Sequence, residues 1–429
     1  MDDTRWDTAT VKRLAVVGSG ISGMVSAWLL SQHHRVHLFE KQARVGGHTN
    51  TVTVTRNDGS TLGIDTGFIT YNEPTYPNFT RLLAHLNVPT QASDMSWSLT
   101  CRKCDISYAG NARGAIPNIA ALRPRHVKML TEIVRFNRLA HQLLDAGIDP
   151  HLTLDTFLIQ ERFSRTFGEH YLLPMAAAIW STGTGSVGSF PLDTFLTFFQ
   201  NHGLLGVSTH HPWRSISGGS NSYITPLTGA YANNIHRDVT ITAISRNHDH
   251  VTLAFNDGST QIFDAVVLAT HADEALALLA DPSPSEQALL GAWQYSTNMA
   301  VLHTDSTLLP RQRRAWASWN YARDTCARPD AEATLSYHMN RLQQLDEPQD
   351  YIVTLNPHVA PEPSTVLTTL TYTHPTYARQ AIDTQPALTA LNGTNHTAYA
   401  GAYLRYGFHE DGVVSAINAC DALGVPWPL

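Results

Sequence analysis

The chain has 429 residues, of which 43% are hydrophobic and 15% are charged, and its formal net charge is −7. This composition excludes a disordered chain, and the length exceeds the size at which one hydrophobic core normally divides, so we expect two domains. The charged residues form no concentrated basic stretch, which argues against nucleic acid as a partner.

The first eleven residues are polar and acidic and lead into a short apolar run, unlike a secretory signal. No apolar stretch approaches the roughly 18–20 residues that a membrane-spanning helix needs. The four cysteines (Cys101, Cys104, Cys326 and Cys420) are too few and too scattered for a disulfide framework. We therefore expect a soluble, cytoplasmic protein.

The first predicted elements alternate between strand and helix. They are a strand at 12–17, a helix at 21–31, a strand at 35–39, paired strands at 51–55 and 61–65, and a helix at 76–86. The first three form a β-α-β unit of the size at which a parallel crossover closes. Asp58-Gly59, between two alternating runs, indicates a hairpin.

Residues 90–205 change to helical periodicity, and strands then return. The predicted helices are 125–145, 166–181 and 191–200; a Gly218-Gly219 turn then leads into a helix, followed by a strand at 239–245, a hairpin around Asp257-Gly258, a strand at 265–269, mixed strands at 295–375, a strand at 398–401, a glycine loop at 407–412 and a helix at 413–423. Segments typical of a cofactor domain recur at the start, middle and end. One domain is therefore expected to be assembled from three separated pieces.

The strongest motif is the G-x-G-x-x-G run at Gly18, Gly20 and Gly23, after a strand and opening a helix. Gly18 permits the tight turn, Gly20 lets the backbone approach a pyrophosphate, and Gly23 lets the helix pack close to the sheet. Glu40 ends the second strand, where a carboxylate can accept hydrogen bonds from ribose hydroxyls. Together these features predict a dinucleotide site.

A second glycine pair favours FAD over NAD. The run Arg44-Val45-Gly46-Gly47-His48 follows Glu40 and can bring backbone N–H groups and Arg44 against the same pyrophosphate from the opposite side. The alternative is a plain turn before the hairpin.

These motifs resemble the flavin-containing amine oxidase superfamily, and more closely a bacterial branch described as predicted NAD/FAD-binding proteins. The further matching segments are residues 46–51, 65–72, 76–79, 178–181, 217–220, 337–342 and 407–412. The resemblance implies an α/β (α+β) fold, with a Rossmann-like FAD-binding domain of the glutathione-reductase/amine-oxidase type and a mixed helix-and-sheet substrate domain. The implied FAD domain comprises 1–80, 208–290 and 393–429, and the substrate domain comprises 81–207 and 291–392.

The resemblance also implies the residues that contact FAD. They are Gly18, Gly20, Ile21, Ser22, Gly23, Glu40, Lys41, Arg44, Gly46, Gly47, His48, Thr66, Gly67, Phe68, Val239, Thr270, Gly401, Asp411, Gly412 and Val413. Val239 corresponds to the residue that presents backbone groups to the adenine. The N–H groups from Gly412 and Val413 onward would face the flavin at O2 and N1, where a helix N-terminus suits negative charge.

Several positions depart from the amine oxidase pattern. His48 replaces the arginine of G-G-R, Ala402 replaces an acidic residue, and residues 296–300 lack the lysine that many amine oxidases place near flavin N5. No cysteine lies in the C-terminal loop where covalent attachment occurs, so noncovalent FAD is expected.

Two residues are candidates for catalysis. His409 is either an acid or base at the flavin edge or, with Glu410 and Asp411, part of a capping loop; Asp411 suits the helix N-terminus. Tyr71, with Asn72, either lines the substrate pocket or packs in a corner. Trp180, Tyr403 and Tyr406 either form an aromatic cage around the substrate or belong to the core.

Metal binding and membrane contact are weaker hypotheses. Cys101-x-x-Cys104 is more typical of a hairpin with incidental cysteines than of half a zinc site, because no second ligand pair follows it, and no metal is expected. Residues 191–205 place Phe195, Phe198 and Phe199 on one face, so this helix either contacts a membrane peripherally or packs in the core.

Three functions remain open. The first is an FAD-dependent desaturase or dehydrogenase that removes hydride from an apolar acyl-chain or isoprenoid-like substrate, in keeping with an association of this bacterial branch with lipid modification. The second is an amine oxidase that produces an imine and hydrogen peroxide. The third is an FAD-dependent double-bond isomerase without net redox turnover.

Overall fold

The computed structural model describes residues 10–56, 58–110, 123–180, 187–206, 211–323 and 334–429. Cys326 and the predicted domain border at 207–208 lie outside these ranges. Two main sheets, one parallel and one mixed, organise the described residues.

The first sheet is parallel and has five strands in the order β10-β2-β1-β14-β20. The strands are β1 (Arg13–Val17), β2 (Arg35–Phe39), β10 (Ile235–His236), β14 (Ala265–Leu268) and β20 (Thr397–Tyr399). Strand β14 is buried along its whole length, as expected for an apolar run in a parallel sheet covered on both faces. All five strands come from the three segments assigned to the FAD domain.

The second sheet is mixed and has seven strands in the order β19-β15-β18-β17-β16-β7-β8. The strands are β7 (Trp97–Cys101), β8 (Ile106–Ala109), β15 (Gln294–His303), β16 (Trp319–Arg323), β17 (Thr334–His338), β18 (Ile352–Leu355) and β19 (Val366–Thr376). Only the β16–β7 pair is parallel. These strands all come from the two segments assigned to the substrate domain.

Three small antiparallel sheets complete the strands. They are β3 (Thr51–Thr55) with β4 (Thr61–Asp65), β11 (Ile241–Arg246) with β12 (Val251–Phe255) and β13 (Thr260–Phe263), and β5 (Thr70–Asn72) with β9 (Trp213–Ile216) and β6 (Thr90–Ser93). In the last sheet β6 belongs to the predicted substrate segment, whereas its partner β9 belongs to the predicted FAD segment. This sheet therefore joins the two parts of the chain.

The described helices surround the two sheets. They include α1 (Ile21–Ser31), α2 (Pro77–His85), α3 (Pro124–Ala146), α4 (Leu154–Gln160), α5 (Arg165–Phe167), α6 (Leu173–Ile179), α7 (Leu192–Asn201), α8 (Ile224–Thr228), α9 (Ala272–Leu278), α10 (Pro284–Leu290), α11 (Met339–Leu342), α12 (Arg379–Ile382), α13 (Gln385–Ala390) and α14 (His409–Ala422). The mixed α/β fold class predicted from the sequence is confirmed.

Two predicted helices differ from the structure. The region predicted as one helix at 166–181 contains a π-helical segment, Gly168–Leu172, between α5 and α6. The last helix begins at His409 rather than at residue 413, because Asp411 accepts a hydrogen bond from the Phe408 N–H and caps the added turn.

The phenylalanine face of residues 191–205 is buried. Phe195, Phe198 and Phe199 on α7 are each no more than 2% exposed and pack in the core, so this face is not available to a membrane. The hypothesis of membrane contact through this helix is therefore wrong. Among the helices of the described ranges, none combines the length and apolar character needed to cross a bilayer.

A buried ion pair and a tyrosine hydroxyl connect β11, α10 and strand β20 of the parallel sheet. Arg246 on β11 contacts both carboxylate oxygens of Glu286 on α10, and the Tyr399 hydroxyl of β20 donates to Glu286. Burial raises the pKa of Glu286, but hydrogen bonds from Arg246, Tyr399 and Ser283 outweigh it and lower that pKa to about 2.

We predict that Glu286→Ala lowers the free energy of unfolding by about 3 kcal/mol, because it leaves the buried guanidinium of Arg246 without this partner. The matched change Asp281→Ala removes a more exposed partner of Arg246 and should cost less than about 1 kcal/mol. Since the folded pKa of Glu286 is depressed, its stabilisation is present above its ordinary pKa and lost as pH falls toward about 2. Chemical denaturation at several pH values measures both effects, and equal losses in the two variants would contradict the assignment.

Candidate dinucleotide site

The glycine turn after β1 is built from three backbone positions with different requirements. Gly18 has φ +97°, and a Cβ there would lie 2.6 Å from the Ala269 carbonyl oxygen. A Cβ on Gly23 would lie 1.9 Å from the Gly18 carbonyl oxygen. A Cβ on Gly20 would have no neighbour within 4 Å. The turn and the helix contact therefore need glycine at 18 and 23, whereas Gly20 borders open space.

The second glycine loop packs directly on this turn. The Gly46 N–H donates to the Ser19 carbonyl oxygen at 3.0 Å, and a Cβ on Gly47, which has φ +59°, would lie 2.9 Å from the Gly20 Cα. The loop is therefore part of the same site and not an independent turn. The Arg44 guanidinium makes a weak contact, 3.5 Å to the Thr49 carbonyl oxygen.

Residues 66–68 extend this surface. The Phe68 N–H donates to the His48 carbonyl oxygen at 2.8 Å, and a Cβ on Gly67 would lie 2.2 Å from the same oxygen. The Thr66 hydroxyl donates to the Asn50 carbonyl oxygen at 2.9 Å. The backbone of 66–68 is thereby held against the G-G-H loop.

Glu40 closes the ribose side of the predicted site. Its carboxylate accepts hydrogen bonds from the N–H and hydroxyl of Ser19, at 3.0 and 2.5 Å, and from the Gln42 N–H at 2.9 Å. The Val239 N–H donates to the Glu40 carbonyl oxygen at 3.1 Å, which places Val239 beside the end of β2.

Two other predicted contacts lie at the borders of this surface. Lys41 is exposed and pairs with Glu274. Thr270 follows β14 opposite the Gly18 turn, since its backbone nitrogen would lie 3.3 Å from a Cβ on Gly18.

The C-terminal helix joins the glycine turn at its own first turn. A Cβ on Gly412 would lie 2.6 Å from Ile21 Cγ2 and 2.9 Å from Ser22 Oγ, so α14 and α1 touch near their N-termini. The Gly401 N–H donates to Ser415 Oγ at 2.9 Å, which fixes the loop after β20 to α14. Two helix N-termini therefore meet at one place, an arrangement that favours anions.

The start of α14 changes which N–H groups are available to a ligand. Because α14 begins at His409, the Gly412 N–H donates within the helix to the Phe408 carbonyl oxygen at 3.0 Å, and Val413 lies deeper in the helix. The N–H groups not used by the first helical turn are those of residues 409–411. Burial raises the pKa of Asp411, which caps this turn, to about 7.

His409 is a packed core residue. Its ring stacks on Phe68 at a centroid distance of 3.6 Å, and its Nε2 lies 3.0 Å from Thr49 Oγ1 and 3.1 Å from the Tyr223 hydroxyl. Burial lowers its pKa to about 3, so the ring stays neutral. This environment does not fit an acid or base at neutral pH. It fits the alternative in which residues 409–411 form the capped start of the last helix.

Tyr71 has a similar environment. It is 2% exposed and its ring contacts Tyr76 and Phe79. Asn72 accepts hydrogen bonds from Thr75. These residues form the packed corner that was the alternative to a pocket.

Next to the second glycine loop lies a wall of side chains that the sequence did not identify. It consists of His48, Asn298, Tyr372 and His374. The His48 ring lies 5.1 Å from the rings of Tyr372 and His374 on β19. The His374 Nδ1 lies 2.9 Å from the amide nitrogen of Asn298 on β15, and Asn356 donates to the Asn298 carbonyl oxygen at 2.6 Å. Asn298 lies in the stretch 296–300 that lacks the lysine, and its role depends on the pairing of β15 with β19.

The wall is uncharged at neutral pH. Burial, with contributions from His374 and His271, lowers the pKa of His48 well below its ordinary value. Burial followed by the charge of His271 lowers the pKa of His374 to about 4. The Nε2 of His48 is buried without a hydrogen-bond partner, and His48 and His374 are each only partly buried as whole residues. A buried polar atom without a hydrogen-bond partner fits a site where a bound ligand supplies that partner.

The parallel sheet and the glycine turn after β1 form a Rossmann-like fold, in which the predicted site lies at the carboxyl ends of β1 and β2. A family model described as an NAD(P)-binding Rossmann-like domain matches residues 16–86. No curated protein matches the sequence.

Solved structures similar to the whole chain include three enzymes. A CLA-producing fatty acid isomerase from P. acnes has a TM-score of 0.67 at 16% identity, covering 94% of this chain and 97% of its own. Cyclohexylamine oxidase from Brevibacterium oxydans IH-35A has a TM-score of 0.68 at 15% identity, covering 97% and 99%. Putrescine oxidase bound to putrescine has a TM-score of 0.65 at 12% identity, also covering 97% and 99%. The fold implied by the resemblance to the flavin-containing amine oxidase superfamily is confirmed.

The glycines give a test of the site that separates binding from folding. Gly20→Ala adds a Cβ into open space, so it should leave the melting temperature of the dinucleotide-free protein unchanged and weaken FAD binding by at least about tenfold. Gly23→Ala adds a Cβ against the Gly18 carbonyl and should lower the free energy of unfolding by about 1–3 kcal/mol.

Gly229→Ala is the control, because Gly229 is exposed, helical and free of neighbours within 4 Å. Titration with FAD and thermal denaturation without FAD provide the two measurements. Full FAD affinity in Gly20→Ala would show that the turn does not approach the cofactor.

Proposed function

We propose that the protein is an oxidoreductase that binds FAD noncovalently and removes hydride from a neutral, apolar substrate, as a desaturase or dehydrogenase. FAD would supply the acceptor for two electrons. The observation that carries the substrate class is the uncharged wall formed by His48, Tyr372, His374 and Asn298 beside the second glycine loop.

The residues of the glycine turn fit FAD. Open space at Gly20, the contact of Gly47 with Gly20, and the two converging helix N-termini together suit a pyrophosphate, and Glu40 suits a ribose. Arg44 is the residue that we assign to the pyrophosphate. Cys420 is buried inside α14, where its Sγ contacts the Ser26 carbonyl oxygen, which supports noncovalent binding.

The wall favours a neutral substrate for electrostatic reasons. A buried ammonium or carboxylate group needs a partner of opposite charge, and the neutral histidine rings and amide of this wall offer only hydrogen bonds. Aromatic rings and neutral imidazoles instead suit an apolar chain with at most one uncharged polar group. An amine substrate would have to enter this cleft deprotonated.

The substrate class can be tested with three compounds that share one acyl or isoprenoid chain and end in a hydroxyl, an amine or a carboxylate. We expect the neutral compound to bleach the visible flavin band under anaerobic conditions, and to yield a product lighter by two hydrogens. Bleaching by the amine alone, with peroxide released in air, would support the amine oxidase hypothesis instead. A product of unchanged mass would support the isomerase hypothesis.

Asn298 is proposed to position the ring of His374, because its side-chain amide nitrogen lies 2.9 Å from Nδ1 of that ring. Asn298→Ala should lower kcat by about tenfold to a hundredfold without changing the flavin content. Asn221→Ala, with an exposed side chain on the opposite domain, is the control.

A double-variant cycle separates positioning from a general structural effect. If Asn298 acts through His374, adding Asn298→Ala to His374→Gln should cause little further loss. Because the pKa of His374 is about 4, binding of the neutral substrate should be constant at neutral pH and weaken as pH falls toward that value. Additive losses in the double variant would contradict the positioning role.

A further inference from the structure

Three potential metal ligands come together at the edge of the seven-stranded sheet that lies away from the glycine loops. The Sγ atoms of Cys101 and Cys104 and a ring nitrogen of His170 all lie within 4.8 Å of one another. Cys101 and His170 are buried and Cys104 is partly exposed. The two cysteines are not joined by a disulfide.

The C-x-x-C turn aims both thiols in one direction. Strand β7 ends at Cys101 and β8 begins at Ile106, so the turn between them must reverse within a few residues. Asp105, directly after Cys104, has φ +51°, and its N–H donates to the Arg102 carbonyl oxygen at 3.1 Å. The left-handed residue reverses the chain and leaves the two sulfurs close together.

The imidazole comes from the π-helical segment between α5 and α6. His170 is its central residue, and the Tyr108 hydroxyl of β8 donates to the His170 carbonyl oxygen at 2.7 Å. Arg323 on β16 donates to the Glu169 carbonyl oxygen at 3.1 Å. The sheet thus holds the backbone that carries His170, and a π-helical turn inside a helix is frequently found at a functional site.

We propose that Cys101, Cys104 and His170 bind a zinc ion. Two thiolates and one imidazole are ligands that zinc prefers, and two thiolates balance the charge of the ion. Bond lengths of about 2.0–2.3 Å place tetrahedral ligand atoms closer together than 4.8 Å, so binding requires the three side chains to draw in slightly. Water can occupy the fourth position.

Binding would release the thiol protons to solvent, and no oxidant or reductant is needed. Cys104 is the partly exposed member of the cluster, so the ion would reach the site from its side. The bound ion would add a link between the β7–β8 hairpin and the helical layer to the existing contacts, which include the hydrogen bond from Tyr108 to the His170 carbonyl oxygen and that from Arg125 to the Cys104 carbonyl oxygen.

The zinc site is separate from the proposed redox site. In the strand order β19-β15-β18-β17-β16-β7-β8, His374 and Asn298 lie on the first two strands, whereas the cysteine turn joins the last two. Loss of zinc should therefore leave FAD at the glycine loops. A zinc ion at this position would replace the expectation from sequence that the protein binds no metal.

The test uses the full chain purified under reducing conditions without chelator. Elemental analysis should find about one zinc per chain in the native protein and less than about 0.1 in Cys101→Ser and in Cys104→Ser. Cys420→Ser is the matched control, because it removes a buried thiol far from the cluster in sequence, and it should keep the zinc. An unchanged FAD content in each variant shows that the chain still folds.

A second measurement does not depend on a variant. Co²⁺ added to the metal-free, reduced native protein should give the intense absorption of cobalt–thiolate bonds, and Zn²⁺ should displace it. Native protein with neither zinc nor cobalt–thiolate absorption would overturn the proposal. Zinc that remains in both cysteine variants, or a Cys101–Cys104 disulfide in freshly purified protein, would also overturn it.

Discussion

The structure depends on one place where three pairs of backbone segments lie so close together that a Cβ atom on the glycine of each pair would clash. Gly23 lies on Gly18, Gly47 lies on Gly20, and Gly412 lies on Ser22. These contacts bring the first helix, the second glycine loop and the C-terminal helix to the edge of the parallel sheet. Because the C-terminal helix is far along the chain from the first helix and the second glycine loop, the site can form only when the two ends of the chain come together.

The same assembly sets the electrostatics of the site. Two helix N-termini point their partial positive charge at the surface where we place the pyrophosphate, and Glu40 lies at the end of the neighbouring strand. Next to the second glycine loop, burial keeps the imidazoles of His48 and His374 neutral. The protein thus separates a surface suited to anions from a wall suited to neutral, apolar groups, and this separation supports our proposal for the substrate.

Local sequence patterns predicted the parts of the fold that depend on local rules. The β-α-β unit, the hairpin at residues 51–65 and the helix at 125–145 follow from periodicity and turn residues, and the structure has them within one or two residues. The start of α14 was missed because a capping contact, from Asp411 to Phe408, added a turn to the helix. The glycine spacing predicted the turn after β1 because Gly18 has a positive φ, Gly23 has no room for a side chain, and Gly20 borders open space.

Side-chain roles were harder to predict because their partners come from distant segments. His409 looked like an acid or base beside a glycine loop, but Phe68, Thr49 and Tyr223 enclose it. Cys101 and Cys104 looked incidental because their third neighbour, His170, lies on a different element. Asn298 was noted only as part of a stretch that contains no lysine. Its contact with His374 depends on the pairing of β15 with β19.

The most direct test of the central claim is the identity of the dinucleotide that the native protein holds. Purified protein should be yellow, and denaturation followed by filtration should release about one FAD per chain, identified by mass, with no flavin left on the polypeptide. A colourless protein that cannot be loaded with FAD, or one that binds NAD or NADP in its place, would contradict the account.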